Sequence, residues 1–125
     1  IVHKGEKVTI VTYGMGVHWA LELQKETQES IEIIDLRSLL PWDKETVFKS
    51  VKKTGKAIVL HEDTFTGGVG AEIAACITEE CFTKLDAPVK RIASIDTPIP
   101  FNGMLEKNFL PKSRLKEKVS ELLLF

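Results

Sequence analysis

The stretch His61-Glu62-Asp63-Thr64-Phe65-Thr66-Gly67-Gly68-Val69-Gly70 gathers an imidazole, two carboxylates and three glycines within ten residues. An imidazole changes charge near neutral pH and can carry protons or hold a ligand. A glycine-rich run offers backbone N–H groups that a side chain would otherwise shield. One reading of the stretch is therefore a ligand or subunit site. The other is that Gly67, Gly68 and Gly70 only permit a tight turn and close packing of a helix on a sheet. A second glycine loop, Gly14-Met15-Gly16, lacks both the third glycine of a dinucleotide fingerprint and the lysine of a phosphate loop, so it is a weak phosphate cradle. His18 falls one turn before Glu22, a spacing that predicts a solvated pair rather than catalysis. His3, His18 and His61 are too widely separated, and Cys76 and Cys81 too irregularly spaced, for a metal-ligand motif. No serine lies in a nucleophile elbow.

The surrounding elements must position these groups. Ala57-Ile58-Val59-Leu60 is a short apolar run that reads as a buried strand feeding the histidine loop. Behind that loop, Val69, Ile73, Ile77 and Cys81 recur every four residues with Ala74 and Phe82 alongside, which predicts a helix packed on a sheet. Val8-Thr9-Ile10-Val11-Thr12-Tyr13 is dense in β-branched residues and reads as a central strand, preceded by a strand tail at Ile1-Val2-His3. A helix runs from Val17 to about Glu26, with Ala20, Leu21 and Leu23 on its apolar side. Ile31-Glu32-Ile33-Ile34-Asp35-Leu36 is the next strand. Asp43 is placed as an N-cap, Glu45 lies in the first turn, Val47, Phe48 and Val51 form a buried stripe, and Gly55 ends the helix. Leu39-Leu40-Pro41-Trp42 is more apolar than a connecting loop requires, so it either folds under that helix or meets another chain. Residues 89–95 alternate as a strand near a sheet edge. Residues 96–103 are too proline-rich for regular structure, and Ile99 and Phe101 are expected to pack against something. Leu115, Val119, Leu122 and Leu123 mark a final helix. Strands alternating with helices call for a parallel sheet covered on both faces.

Composition narrows the partners. A chain of 125 residues with 43% hydrophobic and 28% charged residues is a single globular domain. A formal net charge of −1 makes no electrostatic case for nucleic acid or an anionic membrane. No apolar run approaches the roughly 18 residues that a membrane span needs. Two cysteines are too few for a secreted disulfide framework and fit a reducing compartment. The chain opens at Ile1 without an initiator methionine, which fits a piece of a longer protein.

Five ordered segments, GEKVTIVTYGMGVHWALE, IEIIDLRSLLPWD, KTGKAIVLHED with TGGVGAEIAA, LDAPVKRIASIDTPIPF and the closing helix, run through essentially the whole sequence. Together they resemble the C-terminal, transketolase C-terminal-like domain of the beta subunit of 2-oxo acid dehydrogenases, in their thiamine-diphosphate-dependent decarboxylating component. EECFTKLDAP with DTPIPF is most similar to the branched-chain (2-oxoisovalerate) type. The resemblance implies a three-layer α/β/α sandwich with a five-stranded, mixed and mostly parallel sheet in the order 1-3-2-4-5, its first strand antiparallel. Strands 2 and 4 would then place Gly14-Met15-Gly16 beside His61-Glu62 at the topological switch point.

The resemblance also implies that thiamine diphosphate and magnesium bind in other parts of the parent enzyme, so the fragment has no catalytic, cofactor or metal residues and no activity of its own. Its implied role is assembly: pairing with a second beta subunit about a two-fold axis, contact with the alpha subunit or the rest of the parent chain, and docking of the peripheral-subunit-binding domain of the acyltransferase core. Asp86 and the terminal carboxylate of Phe125 match the docking groups, with aspartate where the family usually has glutamate. Trp42, His61 and Glu62 are the subunit-interface candidates. The location implied is the cytoplasm in a bacterium and the mitochondrial matrix in a eukaryote. The competing expectation is a free-standing small-molecule-binding α/β domain that uses the Gly14 and His61 loops.

Overall fold

A computed structural model describes residues 1–125. Four strands, β1 (Val8–Thr12), β2 (Ile31–Asp35), β3 (Ala57–Thr64) and β4 (Lys90–Ser94), form one sheet in the order β2-β1-β3-β4. Every pairing is parallel. Helices α1 (Met15–Thr27) and α5 (Lys112–Leu123) cover one face, and α2 (Lys44–Thr54) and α3 (Val69–Cys81) the other. A short helix α4 (Gly103–Phe109) precedes α5. The result is the expected three-layer α/β/α arrangement. No helix is long and apolar enough to cross a membrane.

The strand count corrects the expectation of five. Ile1-Val2-His3 makes one antiparallel bridge, His3 to Ile33, and no first strand. The reason is local. The next acceptor along β2, the Ile31 carbonyl, is taken at 2.7 Å by the His3 ring through Nδ1. Gly5 then passes so close to β2 that a Cβ there would lie 2.2 Å from the Ile31 carbonyl carbon, and Lys53 holds the Gly5 carbonyl at 2.7 Å. The chain crosses the start of β2 there, with the Glu6 and Lys7 N–H groups donating to the Ser30 carbonyl, and enters β1 on the other side before a second pair can form.

Two apolar layers result from the alternation of side chains along the strands. Val8, Ile10, Ile31, Ile33, Ile58 and Leu60 meet α1 and α5. Val11, Ile34, Ala57 and Val59 meet α2 and α3. Helix α2 begins and ends as its sequence requires: the Asp43 carboxylate accepts from the Thr46 N–H, and Gly55 takes the left-handed conformation at φ 70°. Helix α3 buries Ile73, Ile77 and Cys81, but Phe82 is exposed, contrary to the expected stripe. The chain tightens there into a 3₁₀ turn, Phe82–Lys84, which rotates Phe82 away from the core. The edge position expected for residues 89–95 holds for β4. Helix α4 starts directly after the proline-rich residues, where Asn102 caps it by accepting from the Met104 N–H. Ile99 and Phe101, expected to pack against something, are exposed in this chain.

Candidate functional site

Because β1 and β3 are neighbours while their following helices lie on opposite faces, their C-terminal ends form the switch point of the sheet. The two glycine loops meet there, with Glu62 Oε2 3.7 Å from the position of a Cβ on Gly14. Gly16 lets α1 close over Thr12, whose hydroxyl would be 2.1 Å from a Cβ. On the other face α3 closes over His61. A Cβ on Gly70 would stand 2.2 Å from His61 Nε2, and one on Gly68 2.6 Å from Cε1.

His61 is therefore sealed in. It is fully buried, its ring lies parallel to that of Tyr13 with centroids 6.3 Å apart, and neither ring nitrogen has a hydrogen-bond partner. Burial pushes its pKa below the ordinary value; Asp63 pulls the other way and Arg91 adds to the depression. Burial, with Asp63 and Glu62, raises the Tyr13 phenol in turn. Glu62, the next residue along the strand, faces solvent, as alternation along a strand requires. The pair has no common face on which to share a proton. A small-molecule site built on the Gly14 and His61 loops meets the same obstacle, since no imidazole nitrogen is open to a ligand.

The loop between β3 and α3 is latched from β4. The Thr66 N–H and hydroxyl donate to Asp96 at 2.8 and 2.6 Å, and the Arg91 guanidinium lies 3.9 Å from the Phe65 ring centroid while donating to the Phe65 carbonyl. These partners, far apart in sequence, were not identifiable from residue types alone. The expected His18–Glu22 pair gives way to an ion pair between Glu22 and Lys112 at 2.6 Å, because α1 and α5 run side by side. No cluster of three or more His, Cys, Asp or Glu side chains could hold a metal ion.

Asp86 lies at the opposite end of the sheet. Its N–H donates to the Gly55 carbonyl at 2.8 Å, and its carboxylate packs over Gly55, where a Cβ would be 2.1 Å from Oδ2. Asp86 and Leu123 line one groove of about 460 Å³ together with Lys56, and the Lys56 ammonium donates to the Leu123 carbonyl at 3.4 Å. Phe125, two residues beyond Leu123, is exposed. Asp86 and the end of α5 thus share one surface, on the far side of the domain from His61.

Trp42, a subunit-interface candidate, packs within this chain. It is buried, edge-on to Phe48 with centroids 5.8 Å apart, and Lys44 stands 5.6 Å from its ring centroid. The neighbouring Leu40 points outward and is 94% exposed. A polar network inside the domain had no sequence signal beyond the alternation of β2: Glu32 is buried, accepts from Ser50 and Lys53, and is joined through Ser50 to Thr9.

The layers and the helix-sealed switch point define a parallel α/β domain covered on both faces. Residues 1–114 match the family described as "Transketolase, C-terminal domain", and the chain belongs to that family. It is 49% identical over 109 residues to the mitochondrial 2-oxoisovalerate dehydrogenase subunit beta of Chaetomium thermophilum, covering 81% of this chain and 23% of that protein. It is 42% identical over 114 residues to the pyruvate dehydrogenase E1 component subunit beta of Rickettsia bellii, covering 89% and 35%. Among solved structures it is similar to a "Split gene transketolase, inactive beta4 tetramer", with a TM-score of 0.78, 25% identity, and coverage of 99% of this chain and 40% of that one. The chain spans about a quarter to a third of the length of these curated relatives.

Proposed function

We propose that this chain is the C-terminal assembly domain of the beta subunit of a 2-oxo acid dehydrogenase, in the thiamine-diphosphate-dependent component that decarboxylates the 2-oxo acid. The observation that carries the reading is similarity to such beta subunits along most of the chain. The 49% identity to the Chaetomium thermophilum relative favours a branched-chain substrate, while the other 2-oxoisovalerate relatives, at 39–48%, span the 42% of the pyruvate one.

The parent enzyme is then an oxidoreductase and this domain is inactive alone. Thiamine diphosphate supplies an electron sink for decarboxylation when magnesium holds its pyrophosphate. The residues here do not fit that group, since no carboxylate cluster can take the metal and the switch-point histidine is enclosed. We assign the cofactor to other parts of the parent enzyme. The domain's own contributions are pairing of beta subunits, contact with the alpha subunit or the remaining parent chain, and docking of the acyltransferase core through Asp86 and Phe125. Trp42, His61 and Glu62 are the candidates for subunit contact: Trp42 lines a groove beside exposed Leu40, Glu62 faces solvent, and His61 fixes the loop that follows β3. The enzyme would work in the bacterial cytoplasm or the mitochondrial matrix, according to its source.

The test is to co-express the parent beta subunit with its alpha partner and measure decarboxylation with thiamine diphosphate and magnesium. Turnover of 2-oxoisovalerate above that of pyruvate is expected. No turnover of either acid by the assembled protein would overturn the reading, and a preference for pyruvate would overturn the branched-chain assignment. Calorimetric titration of the 125-residue chain with thiamine diphosphate and magnesium should give no saturable heat.

A further inference from the structure

His61 stands at the start of an irregularity in the sheet. Between the pairs Leu60–Ile92 and Thr64–Ser94, the β3 residues His61, Glu62 and Asp63 lie opposite Ala93 alone, so β3 bulges there. The bulge leads into a strap, Thr64 to Gly68, which closes over the imidazole together with the first turn of α3. Contacts at the surface hold the strap shut, Thr66 with Asp96 and Phe65 with Arg91. Gly67, at φ 81° with nothing within 4 Å of a Cβ placed on it, gives the strap a free pivot. Beneath it the imidazole is fully buried and both of its nitrogens lack a partner. The closed state therefore forgoes hydrogen bonds that water would supply.

We infer that the strap and the first turn of α3 form a proton-operated lid, closed over neutral His61 and released when the imidazole takes up a proton. Imidazolium donates from both nitrogens, and in the closed site neither has an acceptor. Its charge would also lie under the first turn of α3, the positive end of that helix's dipole. Arg91 on β4 repels such a charge, and Asp63, two residues along β3, attracts it. Asp63 is itself exposed and accepts from the Thr64 N–H. The other groups nearby supply no counter-charge at the ring: Glu62 faces solvent, Tyr13 brings a phenol whose pKa is raised, and Glu72, in the first turn of α3, borders the groove beside Leu39. With the strap open both nitrogens reach water. Opening also uncovers the imidazole at the edge where Glu62 already faces solvent, so the surface there differs between neutral and acid media.

The test is amide hydrogen exchange of the parent beta subunit, read by mass spectrometry near pH 5.5 and pH 7.5 and corrected for the intrinsic exchange rate. In the open state His61 titrates at its ordinary 6.5, so about one unit below that value the open state is favoured about 10-fold more than near pH 7.5. Protection of residues 65–73 should fall by that factor while protection of β1 and α1 holds. Carboxylates with ordinary pKa values stay ionised across this window and add nothing to the step. His61→Leu should abolish it. Asp96→Ala removes both bonds from Thr66 at the surface, so it should lower protection of residues 65–73 by about 3-fold or more at both pH values and keep the acid step.

Equal protection at both pH values in the wild type would overturn the inference, as would an undiminished acid step in His61→Leu. A fall shared equally by β1 and α1 would overturn it too, because the whole domain rather than the strap would then be opening. If His61→Leu does not fold, Asp96→Ala decides: unchanged protection of residues 65–73 in that variant would show that the strap is not what closes the site. Activity toward 2-oxo acids reports separately on the enzyme assignment, so an inactive parent that shows the acid step would leave the lid standing.

Discussion

At the scale of single residues, the absence of side chains at Gly68 and Gly70 decides what His61 can do. The first turn of α3 rests directly on the imidazole, so Gly70→Ala must move either the ring or the helix. The expected loss is about 1–3 kcal/mol, typical of overpacking, measured by urea denaturation. In a His61→Ala background the same substitution should cost little, because the colliding ring is gone; a double-mutant cycle reads this coupling. Protonation tests the same enclosure. Burial holds the folded pKa of His61 below its ordinary 6.5, so the unfolded chain takes up the proton first as pH falls. The stability due to neutral His61 is complete above 6.5 and is lost as pH drops toward the lower folded value. Asp63 opposes this shift and Arg91 reinforces it, while the Tyr13 ring lies parallel to the imidazole with centroids 6.3 Å apart. His61→Leu should flatten the fall in melting temperature below pH 6.5; an equally steep fall in that variant would show that other groups cause it.

At the scale of elements, β2 and α2 are joined by a buried carboxylate as well as by apolar contact. Burial drives the Glu32 pKa upward, but hydrogen bonds from Lys53, Ser50 and the Gly5 N–H, with the charge of Lys53, outweigh it and hold the carboxyl below its usual range. Its contribution is therefore present above the ordinary carboxylate pKa and lost as pH falls through the folded value. Lys53→Met removes the bond at 2.6 Å and leaves the carboxylate without a cation. The expected cost at neutral pH is about 1–3 kcal/mol, the range for a buried group deprived of a partner. With the bond and charge of Lys53 gone the folded pKa of Glu32 rises, and the acid limb of the stability curve should move to higher pH. Guanidinium melts at pH 4, 5 and 7 check both the size and the direction. Lys53 also carries the Gly5 carbonyl, so the same variant should loosen the entry segment, seen as faster amide exchange near His3 and Gly5.

At the scale of the whole molecule, the two ends of the sheet are built differently. The C-terminal edge is closed by helices over Thr12 and His61, while the N-terminal edge presents Asp86 beside the end of α5. The docking role proposed for Asp86 predicts that, in the assembled parent enzyme, Asp86→Asn weakens capture of the acyltransferase's subunit-binding domain by about 3–30-fold, the range from a partly screened to a largely desolvated charge pair. Capture should also fall as salt rises, less steeply in the variant than in the wild type. Surface plasmon resonance at two salt concentrations measures both effects. Identical affinities for wild type and Asp86→Asn would remove Asp86 from the docking surface.

Local chemistry alone determined the elements that carry their own signals. The Asp43 cap, the Gly55 terminator, the four-residue recurrence from Val69 to Cys81 and the β-branched run at Val8 each state a backbone preference within a few residues, and the structure follows them. The ordered motifs likewise pointed to the transketolase C-terminal family, because they extend along the chain without requiring contacts to be known. What depended on contacts between distant segments was decided only by the tertiary structure. Residue types could not show that two glycines wall in His61, that Lys112 takes Glu22 from His18, or that the His3 ring stops the first strand after one bridge. Nor could they separate buried Trp42 from exposed Leu40, two positions apart in one apolar run. Hydrophobicity states that a side chain gains by leaving water, but only the packed fold determines which of two neighbours finds room to do so.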